Sequence, residues 1–134
     1  MNGASPPTRL VTIVIGEAYV RDFNATARDR FEDYAARCGY EPMVITEPIR
    51  DIPGKKLTWQ KLCLHDLPWF AERPRVICLD SDILIARDAP PFPEVPEWYV
   101  GAVFDKGDIG INSGVLVYRA DPSIAGIFEE CHAD

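Results

Sequence analysis

Two carboxylates one residue apart, Asp80 and Asp82, close an apolar run, Val76-Ile77-Cys78-Leu79. A run with no polar side leaves nothing for water, so it predicts a strand buried on both faces. Like charges at the end of such a strand repel and lose hydration unless a cation or ligand faces them. In open α/β sheets, ligands bind beyond the carboxyl ends of strands. Hard carboxylate oxygens suit Mn2+ or Mg2+, which keep open positions for phosphate oxygens. Asp80 and Asp82 are therefore candidate metal ligands, with Ser81 between them, and the metal would in turn hold a phosphate. The competing reading is an ordinary surface turn in which Asp80 caps the next segment and Asp82 faces water.

Four further groups carry chemistry. Ile15 and Gly16 end a first apolar run, and Gly16 would let backbone approach a base or ribose closely. Tyr19, just beyond, could stack on a base or sit as a rim or core tyrosine. Lys61 could neutralise a diphosphate; it lies one position from Leu62 and two from Trp59, off the main apolar face, where a plain surface lysine would also lie. Asn112, Ser113 and Gly114 precede another apolar run; Asn and Ser can hydrogen-bond sugar hydroxyls, though N-S-G is also good turn chemistry. Asp105 and Asp108 are secondary sugar-contact candidates. His65 and His132 lack metal-ligand spacing, and no Ser/His/Asp or Cys/His nucleophile grouping is present.

The elements that must position these groups can be read from periodicity. Residues 1–8 read as a loose tail. Arg9–Ile15 is a β-branched strand ending at Gly16. From Asp22, apolar residues recur at helical spacing through Phe23, Ala27, Phe31, Tyr34, Ala35 and Cys38, with Gly39 as the stop. Pro42–Thr46 is a short strand. Thr58 is the expected N-cap of a helix carrying Trp59, Leu62, Cys63 and Leu67, broken at Pro68. After the D-S-D strand, Pro90, Pro91, Pro93 and Pro96 mark an ordered connection. Strands are expected at Trp98–Phe104 and Gly114–Tyr118, with a polar loop between them. Asp121-Pro122 opens a last helix with Ile124, Ile127, Phe128 and Cys131 apolar. Trp59, Trp69, Phe70, Trp98 and Tyr99 are expected in the core. Alternating strands and helices predict an α/β domain with a mostly parallel sheet, of nucleotide-binding type. No G-x-G-x-x-G and no G-x-x-x-x-G-K-[ST] is present.

A chain of 134 residues is expected to form one domain, residues 1–134. Fourteen Lys+Arg against 21 Asp+Glu give a net charge of -7, which argues against nucleic acid and anionic membranes as partners. No apolar stretch approaches the roughly 20 residues of a bilayer span, and the N-terminus has no signal-peptide profile. Cys38, Cys63, Cys78 and Cys131 have no C-x-x-C spacing and read as buried free thiols. The expectation is a cytoplasmic, soluble protein.

Four stretches, in order, resemble glycosyltransferase family 8, the glycogenin and bacterial galactosyltransferase family of the GT-A fold. Ile13–Tyr19 (I-V-I-G-E-A-Y) resembles its first strand and nucleoside-contacting turn. Leu57–Leu62 (L-T-W-Q-K-L) is similar to its helix with a lysine facing the sugar diphosphate. V-I-C-L-D-S-D-I-L-I-A-R-D resembles its D-x-D region, and Ile111–Tyr118 (I-N-S-G-V-L-V-Y) its N-[SA]-G-V strand entry. The resemblance implies a Rossmann-like GT-A domain that transfers a hexose, with retention, from a nucleotide-diphospho-sugar, expected to be UDP-linked, to an unknown acceptor. It implies a donor site of Ile15, Gly16, Tyr19, Lys61, Asp80, Ser81, Asp82, Asn112, Ser113 and Gly114, with Mn2+ or Mg2+ on Asp80 and Asp82. The family pattern continues into a later acidic segment and a H-x-x-G-x-x-K-P-W segment whose His completes the metal site. Neither occurs here. The expectation is a short or truncated version, a metal site short of one ligand, and a sheet edge that a second copy or a partner chain would cover. The alternative function is a non-catalytic or partner-dependent nucleotide-sugar-binding module. A haloacid-dehalogenase-type phosphatase is a weaker fit, because its D-x-D-x-[TV] needs Thr or Val where Leu84 stands.

Overall fold

The computed structural model describes residues 5–105 and 110–133. Five strands form one sheet: β1 (Arg9–Ile13), β2 (Glu41–Ile45), β3 (Arg75–Leu79), β4 (Val100–Asp105) and β5 (Gly110–Arg119), in spatial order β2-β1-β3-β5-β4. β1 pairs in parallel with β2 and β3, whereas β3–β5 and β5–β4 are antiparallel. The α/β fold expected from the sequence is present, but the sheet is mixed rather than mostly parallel. The physical reason is chain spacing: β4 ends at Asp105 and β5 begins at Gly110, too close in sequence for the crossover of a dozen or more residues that parallel neighbours need.

Side chains of β3 alternate between two apolar layers, as strand geometry requires. Ile77 and Leu79 join Leu10, Phe23, Phe31, Tyr34 and Val117 on one face. Val76 and Cys78 join Val11, Leu64, Phe70, Tyr118, Ile124 and Phe128 on the other. Val76 to Leu79 are buried, as the unbroken apolar run predicts, and so is the charged Arg75 at the strand's start.

The first face is covered by α1 (Glu17–Thr26) and α2 (Arg28–Cys38). The helix begins at Glu17, five residues before the expected start at Asp22, so Tyr19 lies on a helix. Thr26 Oγ1 donates to the Asp22 carbonyl at 2.7 Å, a back-bond that bends helices, and the two helices meet at Ala27. Gly39 ends α2 at φ 71°, the left-handed cap that glycine adopts without penalty.

The second face is covered by two 3₁₀ helices, Leu57–Asp66 and Pro68–Glu72, and by α3 (Pro122–His132). The expected α-helix with Thr58 as cap is instead a 3₁₀ helix preceded by Lys56. With three residues per turn, i and i+3 share a side. Gln60 stacks with Cys63 and Lys61 with Leu64, and all four are buried. Lys61 therefore points inward, where a 3.6-residue period had placed it off the apolar face. Gln60 accepts from the Ile49 and Arg50 amides and donates to the Arg50 carbonyl, which fixes the loop before the helix. Pro68 restarts the helix at its first position, where a missing N–H costs nothing. Asp121 caps α3 by accepting from the Ser123 and Ile124 amides.

The proline-rich connection is ordered by acceptors, since prolines supply carbonyls and no amide donors. Tyr34 Oη donates to the Pro90 carbonyl at 2.7 Å. The buried Arg75 guanidinium donates to the carbonyls of Phe92 and Pro93, both at 2.7 Å. Trp69 and Phe70 are core residues, but Trp98 and Tyr99 are 69% and 64% exposed, contrary to expectation. Trp98 has φ 69° and lies two residues before β4 begins at Val100, in a turn rather than in the strand. Of the cysteines, Cys63 and Cys78 are buried and Cys38 and Cys131 half-buried, all as free thiols. No described helix is long and apolar enough to cross a membrane.

Candidate functional site

A cleft of about 510 Å³ opens at the carboxyl ends of β1 and β3. Ile13, Ile15 and Tyr19 line it from β1, the link after it and α1; Lys56, Leu57, Thr58 and Lys61 from the first 3₁₀ helix and its approach; Cys78 to Asp82 from β3 and its turn. Six of the ten residues expected at a donor site thus share one cleft: Ile15, Tyr19, Lys61, Asp80, Ser81 and Asp82.

Gly16 stands behind Tyr19. Its φ of 111° is closed to L side chains, and a Cβ there would meet Tyr19 Cδ2 at 3.2 Å. The glycine lets the chain turn from strand to helix while the Tyr19 ring lies close over the backbone. Tyr19 itself is 68% exposed, so it is a rim residue with a free ring face.

Asn112, Ser113 and Gly114 do not line the cleft; Ser113 and Gly114 touch it through Lys61 and Asp80. They lie inside β5, which begins four residues earlier than expected. Register shifts there: Ala102 faces Leu116, yet Val103 faces Asn112. Residues 113–115 therefore bulge away from β4, while Val115 keeps its pairing with Leu79. Bulges re-aim side chains and backbone in this way. This one carries the Gly114 carbonyl to the Asp80 amide at 2.9 Å and turns the Ser113 carbonyl toward Lys61. Asn112 Oδ1 accepts from the Gly114 amide at 2.8 Å, bracing the bulge.

Lys61 joins the two halves. Its Nζ donates to Asp80 Oδ1 at 2.9 Å, to the Ser113 carbonyl at 2.9 Å and to Ser113 Oγ at 3.3 Å. A buried ammonium needs such partners to offset lost hydration. Asp82 is exposed at the cleft mouth. Burial pushes the neighbouring Cys78 thiol up to about 12, so it stays protonated and inert at neutral pH.

The donor set fits a hard divalent cation in type: Asp80 and Asp82 offer carboxylate oxygens from one turn, and such ions take one or two carboxylates with water and phosphate completing the shell. The Asp105 side chain and Asp108 lie outside the described residues. Sequence reading missed Leu57 and Thr58 as lining residues, although they sit in the same L-T-W-Q-K stretch as Lys61; both are exposed and line the cleft from its surface side.

A second polar cluster lies away from the cleft. His65, Asp66 and Glu129 bring their ligand atoms within 4.8 Å of one another. Arg50 occupies this group, donating to Asp66 at 2.7 Å and also to Glu129, which in turn contacts His65. The guanidinium makes it an ion-pair network that clamps α3 to the first 3₁₀ helix. Hydrogen bonds from Arg50 and then His65 hold the Glu129 carboxyl down at about 2. The Arg50 hydrogen bond likewise lowers Asp66.

No protein-family model matches the sequence, and no curated protein does so significantly. Among solved structures, the chain is similar to a glycosyltransferase involved in the glycosylation of the major capsid of PBCV-1. The TM-score is 0.69 at 13% sequence identity, and the match covers 96% of this chain. The chain spans 66% of that protein's length. The likeness establishes the fold: a five-stranded open α/β sheet of the kind a glycosyltransferase uses.

Proposed function

We propose that the cleft binds a nucleotide-diphospho-sugar and that the domain is the donor-binding part of a glycosyltransferase of the family 8 type. The observation that carries this reading is the convergence of Lys61, Asp80 and Ser113, from three separate segments, beside an exposed Asp82 and Tyr19. The shared fold with a solved glycosyltransferase supports it.

Tyr19 offers a flat, exposed face on which a uracil-type base can stack. Ile13 and Ile15 give the cleft an apolar floor beside it. Asp80 and Asp82 would hold Mn2+ or Mg2+, whose chemistry when bound is to neutralise charge on the departing diphosphate. Lys61 supplies a further positive charge at the same end of the cleft. Asn112 and Ser113 present hydrogen-bonding groups to sugar hydroxyls from the bulge.

Isothermal titration with UDP in the presence of Mn2+ tests the reading. The expected result is saturable binding that chelation of the metal removes. Absence of binding in Mn2+ refutes the donor-site assignment. A UDP-sugar hydrolysis assay on the same protein separates a transferase from a module that binds without turnover.

A further inference from the structure

Lys61 is committed before any ligand arrives. An ammonium has three protons to donate, and three protein oxygens stand within 3.3 Å of Nζ. One is Asp80 Oδ1. The other oxygen, Oδ2, faces Gly114, where a Cβ would meet it at 3.1 Å. Asp80 thus has one oxygen paired to a cation and the other beside Gly114, while its side chain stays 42% exposed to an incoming metal. Lys61 is only 9% exposed, so its charge is weakly screened by water.

We propose that Lys61 is a resident counter-cation: it competes with the divalent metal for Asp80, and a diphosphate relieves the competition by drawing the ammonium toward itself. This rests on the donor-site reading above. Two cations close together in a partly buried site oppose each other strongly. Metal alone should therefore bind weakly, and a nucleotide diphosphate should strengthen metal binding through Lys61 as well as through its own oxygens. The lysine would be a positioning residue that makes the metal site selective for the metal–diphosphate pair over the free ion.

The test is Mn2+ binding by electron paramagnetic resonance on the native chain, Lys61→Met and Lys61→Gln, with and without UDP. Removing the charge should tighten binding of Mn2+ alone about tenfold and weaken binding of the Mn2+–UDP pair. The glutamine variant keeps a donor for the Ser113 carbonyl and serves if the methionine variant does not fold. On the native chain, Mg2+ alone should shift the ε-carbon NMR signal of Lys61. Unchanged Mn2+ affinity in a folded variant, or Mg2+ binding that leaves that signal in place, overturns the proposal while the donor site stands. Failure of the native chain to bind Mn2+ even with UDP overturns both.

Discussion

The Asp80 carboxylate lies against Gly114: a Cβ on the glycine would meet Asp80 Oδ2 at 3.1 Å and Asn112 Oδ1 at 2.9 Å. Neither neighbour is free to yield, because Asp80 is tied to Lys61 and Asn112 braces the Gly114 amide. Gly114→Ala should displace both. Overpacking of this kind costs about 1–3 kcal/mol, and the Mn2+-dependent affinity for UDP should fall by roughly tenfold or more. Thermal melting and calorimetry on the purified variant read the two effects separately.

Asp82 stands outside the packed core. Asp82→Ala should leave stability within about 0.5 kcal/mol, as for other exposed positions, while abolishing metal-dependent nucleotide binding. Retained affinity in a calorimetric titration would remove this carboxylate from the site.

Tyr19 has a comparable separation of roles, since two thirds of the residue is exposed (68%). A base stacked on it is worth about 1–3 kcal/mol. Tyr19→Ala should weaken UDP binding roughly tenfold or more by that measure, and Tyr19→Trp should preserve it. Binding of Mn2+ alone should be the same in all three proteins.

Acid should loosen α3. Glu129 has an ordinary value of 4.5 and is held at about 2 in the folded chain; Asp66 is also lowered. A depressed carboxyl contributes stability that is fully present above its unfolded value and is lost as pH falls through the folded one. For Glu129 that window runs from about pH 4.5 down to about 2. The melting temperature should fall across it, and Glu129→Gln should flatten this limb. An unaltered acid limb would show that the network does not bear on folding.

Arg75 is the donor that the proline-rich connection lacks. Arg75→Met removes two charge-assisted hydrogen bonds to the Phe92 and Pro93 carbonyls. The expected cost is about 2–3 kcal/mol in urea unfolding, with new proteolytic cleavage in residues 86–97. Cleavage identical to that of the native chain would place the ordering elsewhere.

Much of the scaffold was legible because it rests on local patterns. The unbroken apolar run of β3, the Gly39 stop and the Asp121-Pro122 start each carry their own physical signature. The features hidden from the sequence were non-local or depended on helix type. A 3.6-residue period left Lys61 off the apolar face, open to either a diphosphate-facing or a plain surface role, and a three-residue period buries it. Asn112 to Gly114 read as either sugar contacts or turn chemistry ahead of a strand, because a bulge inside a strand uses the same small, polar residues. Arg50 and Glu129 are 79 residues apart, so no spacing rule could join them. The antiparallel pairing of β5 likewise depends on which strand edge is vacant when it docks.

The bulge in β5 has a temporal consequence. Lys61 meets Asp80 across 19 residues and Ser113 across 52, and the second contact exists only once β5 has docked on β3. Distant pairings of this kind are late and slow. A chain whose β5 is still detached has both carboxylates of the D-S-D turn and lacks the geometry that makes them a site. A ligand that needs the whole cleft would bind only the finished fold and stabilise it by mass action, so ligand-dependent protection of β5 amides in hydrogen exchange would track the last step of folding.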